Sequence, residues 1–195
     1  DYFLRGGKGY ALYLFPTKAL SQDQMRVLDT FLHGLELDVV AGVFDGDTEP
    51  SMRRRLRRNG RIILTNPDML HAGILPNHPR WRRVLQDLRY VVVDEMHSYR
   101  GVFGSHVANV LRRLRRLCWR LGSDPQFVLC SATIANPGEH AERLVGLPFQ
   151  VIDEDGSPYG GKDFAFWNPP MIDLAEGSRR STNSEAALIF SELLR

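Results

Sequence analysis

Two adjacent carboxylates, Asp94 and Glu95, follow directly on the apolar run Val91-Val92-Val93, and Met96 and His97 come next. A carboxylate at the end of a buried strand can hold a Mg²⁺ that is bound to nucleotide phosphates. A second carboxylate beside it can orient a water and take its proton. On that chemistry Asp94 is assigned to the metal and Glu95 to the water; the competing reading is a strand end that happens to be acidic. His97 can sense a nucleotide γ-phosphate or bridge to a neighbouring loop, or be a satisfied surface histidine. His106, at the start of an amphipathic stretch, reads as structural.

Other polar residues stand at the ends of other apolar runs. Ser131-Ala132-Thr133 can hydrogen-bond the DEMH turn and sense its state, or simply cap a turn. Pro16-Thr17-Lys18-Ala19-Leu20 opens a helix, where Thr17 can cap and the free N–H groups, with Lys18, can attract an anion. Gly42–Thr48, which contains Gly46 and Asp47, and Thr65-Asn66-Pro67-Asp68 repeat that arrangement. Three such loops on one rim can track a nucleic-acid backbone. The arginine runs 53–58 and 112–116 invite the same reading, although a charge run is usually a solvated face. Arg5-Gly6-Gly7-Lys8-Gly9 is not a phosphate loop. It lacks the G-x-x-x-x-G-K-[ST] spacing and leads into a strand, so it is a hairpin or loop.

The elements that must position these residues can be read from the hydrophobic pattern. Ala11–Phe15, Val39–Phe44, Arg61–Leu64, Tyr90–Val93 and Phe127–Cys130 are apolar on both faces, as in a parallel sheet covered by helices. Helices are expected over Ala19–Leu32, Pro50–Arg58, Pro67–Ala72, Gly104–Arg120 and Pro137–Leu144. The pattern is that of a doubly wound α/β domain, in which ligands bind at the carboxyl ends of the strands. After Gly146 the pattern changes. Strands are expected at Phe149–Ile152 and Phe164–Trp167, and a helix at Ser184–Leu194 capped by Ser184 or Asn183.

The 195 residues are 43% hydrophobic and 25% charged, which excludes a disordered tail, a collagen and a coiled coil. No apolar run approaches the ~18 residues of a membrane span. The net charge of +2 hides a split: residues 51–120 carry 16 arginines against 4 acids, and the rest of the chain is acidic. That suggests a polyanionic partner, with arginine suited to phosphate forks. Cys118 and Cys130 read as two buried, reduced thiols in a reducing compartment. The chain opens on Asp1 with no signal peptide, as an excised piece would.

Taken in order, these motifs resemble the first motor domain of superfamily-2 DEAD/H-box helicases. PTKAL resembles motif Ia, GDT and TNPD the Ib and Ic region, DEMH motif II and SAT motif III. The stretches VVVDEMHSYRGVFGSHVANVLRRLRR and NPGEHAERLVGLPFQVIDEDGSPYGGKDFAFWNPP are similar to the MrfA/YprA-type DNA helicases, relatives of the RecQ-like and Lhr groups.

The resemblance implies a RecA-like α/β domain (the P-loop NTPase fold), incomplete at its N-terminus, over residues 1–146. Residues 147–195 would be a connector and the start of a second RecA-like domain. It implies an ATP- and Mg²⁺-dependent motor moving 3′ to 5′ on single-stranded or forked DNA, in repair or recombination and in a cytoplasmic, nucleoid-associated setting. Asp94 would bind the Mg²⁺ of Mg-ATP and Glu95 would activate water. His97, Ser131, Ala132 and Thr133 would couple hydrolysis to movement. Pro16, Thr17, Lys18, Gly46, Asp47, Thr65, Asn66 and Asp68 would line the nucleic-acid track.

The family's phosphate loop and arginine fingers lie outside this stretch, so the 195 residues alone are expected to be inactive. The missing strand is expected to leave a hole in the sheet. The alternatives are a non-catalytic nucleic-acid-binding module, an RNA helicase, or a duplex translocase of the same superfamily.

Overall fold

The apolar runs become strands that are buried for the reason the pattern gives: alternate side chains feed two cores. The computed structural model describes residues 5–154, 156, 160, 161, 163–173 and 175–194. Strands β1 (Tyr10–Leu14), β2 (Ala41–Val43), β3 (Ile62–Thr65), β4 (Leu88–Val93) and β5 (Gln126–Leu129) form one all-parallel sheet in the order β2-β3-β1-β4-β5. The ladder is unbroken, so the expected hole is not there; a further strand could pair only at the β2 or β5 edge.

On β1, Leu12 and Leu14 face the larger core, whereas Ala11 and Tyr13 face the smaller one. The smaller core is closed by Leu20, Met25 and Leu28 of helix α1 (Lys18–Gly34). The larger is closed by α2 (Pro50–Asn59), α4 (His78–Gln86), α5 (Gly101–Leu121) and α6 (Pro137–Val145). Between α2 and α4 a short helix α3 (Pro67–Met69) runs into a π-turn over Leu70–Ile74. The helix expected over Pro67–Ala72 is therefore wider-wound than an α-helix in its second half.

The strand and helix ends fall within a few residues of expectation, but α4 was not foreseen. Its stripe is Trp81, Val84 and Leu85, buried at i, i+3 and i+4 between three arginines. The start of α5 is fixed by close approach: a Cβ on Gly104 would overlap the Tyr99 carbonyl, so only glycine fits there. The C-terminus of α6 is held from α5. Arg112 donates to the Arg143 carbonyl (2.8 Å), and Arg115 to those of Val145 (3.0 Å) and Gly146 (2.9 Å). Two members of the second arginine run are thus helix caps.

The chain divides into two compact units, Asp1–Ile152 and Asp153–Arg195. Phe149 packs against the core of the first unit as irregular chain, not as the expected strand. In the second, Phe164–Trp167 is also irregular; the two prolines after Asn168 lack donors and disfavour a ladder. A short antiparallel pair, β6 (Met171–Asp173) with β7 (Ser178–Arg179), precedes α7 (Thr182–Leu193), whose N-cap is Ser181 and not Asn183 or Ser184. The unit is pinned by buried Glu185, which accepts from Trp167 Nε1 (2.9 Å) and Arg180 Nη1 (2.7 Å). Among the described residues no helix is long and apolar enough to cross a membrane.

Candidate nucleotide and nucleic-acid site

Because every strand of the large sheet is parallel, all five carboxyl ends lie on one edge, and the polar loops foreseen from the sequence are brought together there. The DEMH turn leaves β4 with Asp94 N–H donating to the Leu14 carbonyl (2.9 Å), so the acid is anchored to the end of β1. Asp94 Oδ1 accepts the Glu95 N–H (2.9 Å). Glu95 itself adopts a left-handed backbone, φ 51°. Such a non-glycine residue costs about 1 kcal/mol or more and persists only where its surroundings hold it. Here Ser98 does so, bonding the Glu95 carbonyl through both its N–H (2.9 Å) and its hydroxyl (2.7 Å). The Met96 N–H donates to the Cys130 carbonyl (2.9 Å), and the Met96 carbonyl meets His140 Nε2 (2.9 Å).

His97 sits between the two motifs. Its Nδ1 accepts the Ala132 N–H (3.3 Å) and lies 3.5 Å from Ser131 Oγ. A ring nitrogen that accepts from a backbone amide carries no proton, so in the neutral ring the proton is on Nε2. Nε2 lies 3.2 Å from Glu95 Oε2 and donates to it. The path from the SAT backbone through the imidazole to the Glu95 carboxylate is continuous. Ser131 and Ala132 therefore meet the DEMH turn as expected; Thr133 is exposed, with no bond to that turn.

Cys130, expected to be buried, is exposed, because it stands at the open end of β5 rather than inside the strand. Partial desolvation of its sulfur by the surrounding chain, then the Asp94 and Glu95 charges, still push its thiol above the ordinary value. The same causes raise Tyr99, whose buried hydroxyl has no hydrogen-bond partner among the described residues.

The loops expected to line a nucleic-acid track lie along the same edge. Pro16 is half-buried, Thr17 is exposed, and the Thr17 hydroxyl caps α1 by accepting the Leu20 N–H (3.3 Å). Lys18 Nζ is bound to Asp47 Oδ2 (2.7 Å), which raises the lysine's pKa and ties the PTKAL loop to GDT. Gly46 is exposed beside that pair.

The β3 end is different. Asn66 caps α3 by accepting the Met69 N–H (2.8 Å) and Asp68 is exposed, but Thr65 is fully buried. Its hydroxyl donates to the Phe44 carbonyl (2.6 Å). Thr65 is a strut joining β3 to the β2 loop and cannot touch a nucleic acid, because β3 is covered on both faces to its last residue.

Two residues that hold the GDT loop were not foreseen. Asp45, buried in the loop, accepts the Asp47 N–H (2.9 Å), and its own N–H donates to Thr48 Oγ1 (2.9 Å). Arg53, one turn into α2, reaches back over the Phe44 ring (5.5 Å). It donates to the carbonyls of Thr48 (2.8 Å), Asp45 (2.8 Å) and Gly46 (2.9 Å). The only sequence signal was its place in the arginine run. Arg53→Ala should leave three loop carbonyls without that donor. Bonds of this charged kind contribute roughly 1.5–3 kcal/mol each when made well. The expected outcome is a lower melting temperature with faster amide exchange confined to residues 44–48.

Among the described residues no three His, Cys, Asp or Glu side chains cluster into a protein metal cage. A half-buried carboxylate with one oxygen already committed suits Mg²⁺, which keeps waters and takes further ligands from phosphate. A parallel α/β sheet carrying paired acids at one strand end and polar loops at its neighbours is the architecture of RecA-like domains.

Comparison with known proteins narrows the class. Residues 3–140 match the DEAD/DEAH box helicase family. The chain is 50% identical over 185 residues to the ATP-dependent helicase YprA of Bacillus subtilis, covering 95% of this chain and 25% of YprA. It is 46% identical over 199 residues to the ATP-dependent helicase HRQ1 of Saccharomyces cerevisiae, covering all of this chain and 18% of HRQ1. A crystal structure of the helicase MrfA bound to DNA and AMPPNP superposes with a TM-score of 0.88 at 49% identity, over 95% of this chain and 26% of MrfA. The chain belongs to the DEAD/DEAH box helicase family, and within it to the MrfA/YprA type. It spans about a quarter or less of the length of these relatives.

Proposed function

We propose that this chain is the part of an ATP-dependent DNA helicase that holds Mg-ATP, activates the attacking water and feels the result. The observation that carries the reading is the path from Glu95 through His97 to the Ser131-Ala132 turn, on the same edge as the PTKAL and GDT loops.

Asp94 would hold the Mg²⁺ of Mg-ATP, which would supply charge that offsets that of the phosphates. Glu95 is held at Oε2 by the His97 N–H, which leaves Oε1 to accept a proton from water. When the γ-phosphate leaves, a shift of His97 is felt at the Ala132 amide, and the strand-end loops that grip the nucleic acid are one short step away. Backbone contacts dominate in such motors, so little sequence preference is expected.

We extend the proposal to 3′-to-5′ movement on single-stranded or forked DNA, to a role in DNA repair, and to a cytoplasmic, nucleoid-associated location. The DNA bound by MrfA supports DNA over RNA. Residues 1–146 are proposed as the first motor domain and 147–195 as the connector and the opening of the second.

The charge stabilisation of phosphoryl transfer also needs a phosphate-loop lysine and an arginine finger. The expected outcome is therefore no Mg²⁺-dependent ATP hydrolysis above background by the 195 residues. Hydrolysis stimulated by single-stranded DNA is expected from a polypeptide that carries them within the full length of its relatives. Hydrolysis unmoved by DNA in that longer polypeptide would overturn the motor reading; turnover by the 195 residues alone would overturn the need for the added groups.

A further inference from the structure

The first arginine run is only partly used by the site. Arg53 is consumed by the GDT loop, and Arg55 turns with Met52 toward a cavity shared with Asp29 and Asp38. At 3.6 residues per turn, Arg54, Arg57 and Arg58 fall with Arg53 within an arc of about 140° on α2. Helix α4 packs beside it, and Arg83 Nη1 donates to the Arg58 carbonyl (3.0 Å), so the two helices present their cations together. Neither α2 nor α4 contains an acid, and none of Arg54, Arg57, Arg58 and Arg80 has an ion-pair partner among the described residues. Burial, then the charges of Arg80, Arg53 and Arg54, push the Arg57 guanidinium below its ordinary value. A guanidinium cannot shed its proton to relieve such crowding. Only an anion can do so.

We propose that Arg54, Arg57, Arg58 and Arg80 form a second backbone-binding surface that continues the nucleic-acid track from the GDT loop down α2 and onto α4. The ligand is the phosphodiester backbone, gripped by planar forks that suit phosphate oxygens. The face starts where Arg53 ends its work on the loop and descends about 6 Å per helical turn of four residues. A strand crossing GDT can therefore pass straight onto it. The proposal rests on the reading of the rim as a nucleic-acid track.

The test is a salt titration of the chain's binding to a fluorescein-labelled forked DNA, without nucleotide. The variant Arg54→Ala/Arg57→Ala/Arg80→Ala is compared with the charge-matched Arg26→Ala/Arg116→Ala/Arg120→Ala, which removes exposed cations elsewhere. Each phosphate contact contributes roughly 0.7–0.9 to the slope of log affinity against log salt. The first variant should reduce the slope by about 2 to 3 and the affinity at low salt about 10- to 100-fold. The second should change both far less, with both variants melting like the parent. Equal effects from the two variants, an unchanged slope, or no binding by the unaltered chain would overturn the proposal. If the slope responds as expected while the longer polypeptide shows no DNA-stimulated hydrolysis, the surface stands and the motor reading falls.

Discussion

Glu95→Gln is expected to slow DNA-stimulated ATP hydrolysis by a relative-length polypeptide about 10²- to 10⁴-fold, the range a positioned general base contributes. The substitution is nearly isosteric, and the amide oxygen of glutamine can still accept the His97 Nε2–H now given to Glu95 Oε2 at 3.2 Å. The imidazole therefore keeps its tautomer, and Ala132 keeps its acceptor. The base is lost while its surroundings persist. ATP affinity, measured with a fluorescent analogue, should then change by less than about tenfold, because on the proposed reading Asp94, and not Glu95, would hold the metal. A loss of nucleotide binding equal to the loss of rate would mean that Glu95 is a ligand rather than a base. A rate within a few-fold of the parent would remove it from the chemistry.

The strands and the polar residues at their ends were legible because both are written in residue type. Apolar runs on both faces mean a covered parallel strand, and the acid pair after Val93 marks where β4 ends. What was not legible depends on contacts between segments distant in sequence. Helix α4 was hidden because Pro79 and three arginines dilute the stripe of Trp81, Val84 and Leu85. Thr65 reads as a polar strand end, and only the packing over both faces of β3 shows that it is buried, with its hydroxyl on the Phe44 carbonyl. Arg53 looks like its neighbours in the run; its difference is that the loop before α2 folds back within its reach. The left-handed backbone of Glu95 has no sequence signature at all, being imposed by Ser98 and the pairing of Met96 with Cys130. In the second unit the strands are so short that a period of two has no room to show.

Trp81→Ala carries the largest stability effect expected in this chain. Trp81 is 2% exposed, the bulkiest side chain of the larger core, and α4 has no other large residue to take its place. Truncating such a ring costs roughly 3–5 kcal/mol, part transfer and part cavity. For a domain of this size that corresponds to a fall of roughly 6–20 °C in Tm. The effect should not stay in the core. Trp81 meets Phe44 edge-on, with centroids 4.7 Å apart and planes at 86°. The Phe44 ring also carries the Arg53 guanidinium, and its carbonyl carries the Thr65 hydroxyl. Removing Trp81 therefore unseats the residue on which the GDT loop is built. The expected result is a Tm loss accompanied, at temperatures where the chain is still folded, by weaker DNA binding. Trp81→Phe, which keeps an edge for Phe44, should recover most of the binding and part of the Tm. A Tm within about 2 °C of the parent would show that α4 is not part of the cooperative core. A full Tm loss with DNA affinity unchanged would show instead that the loop stands without the packing beneath it.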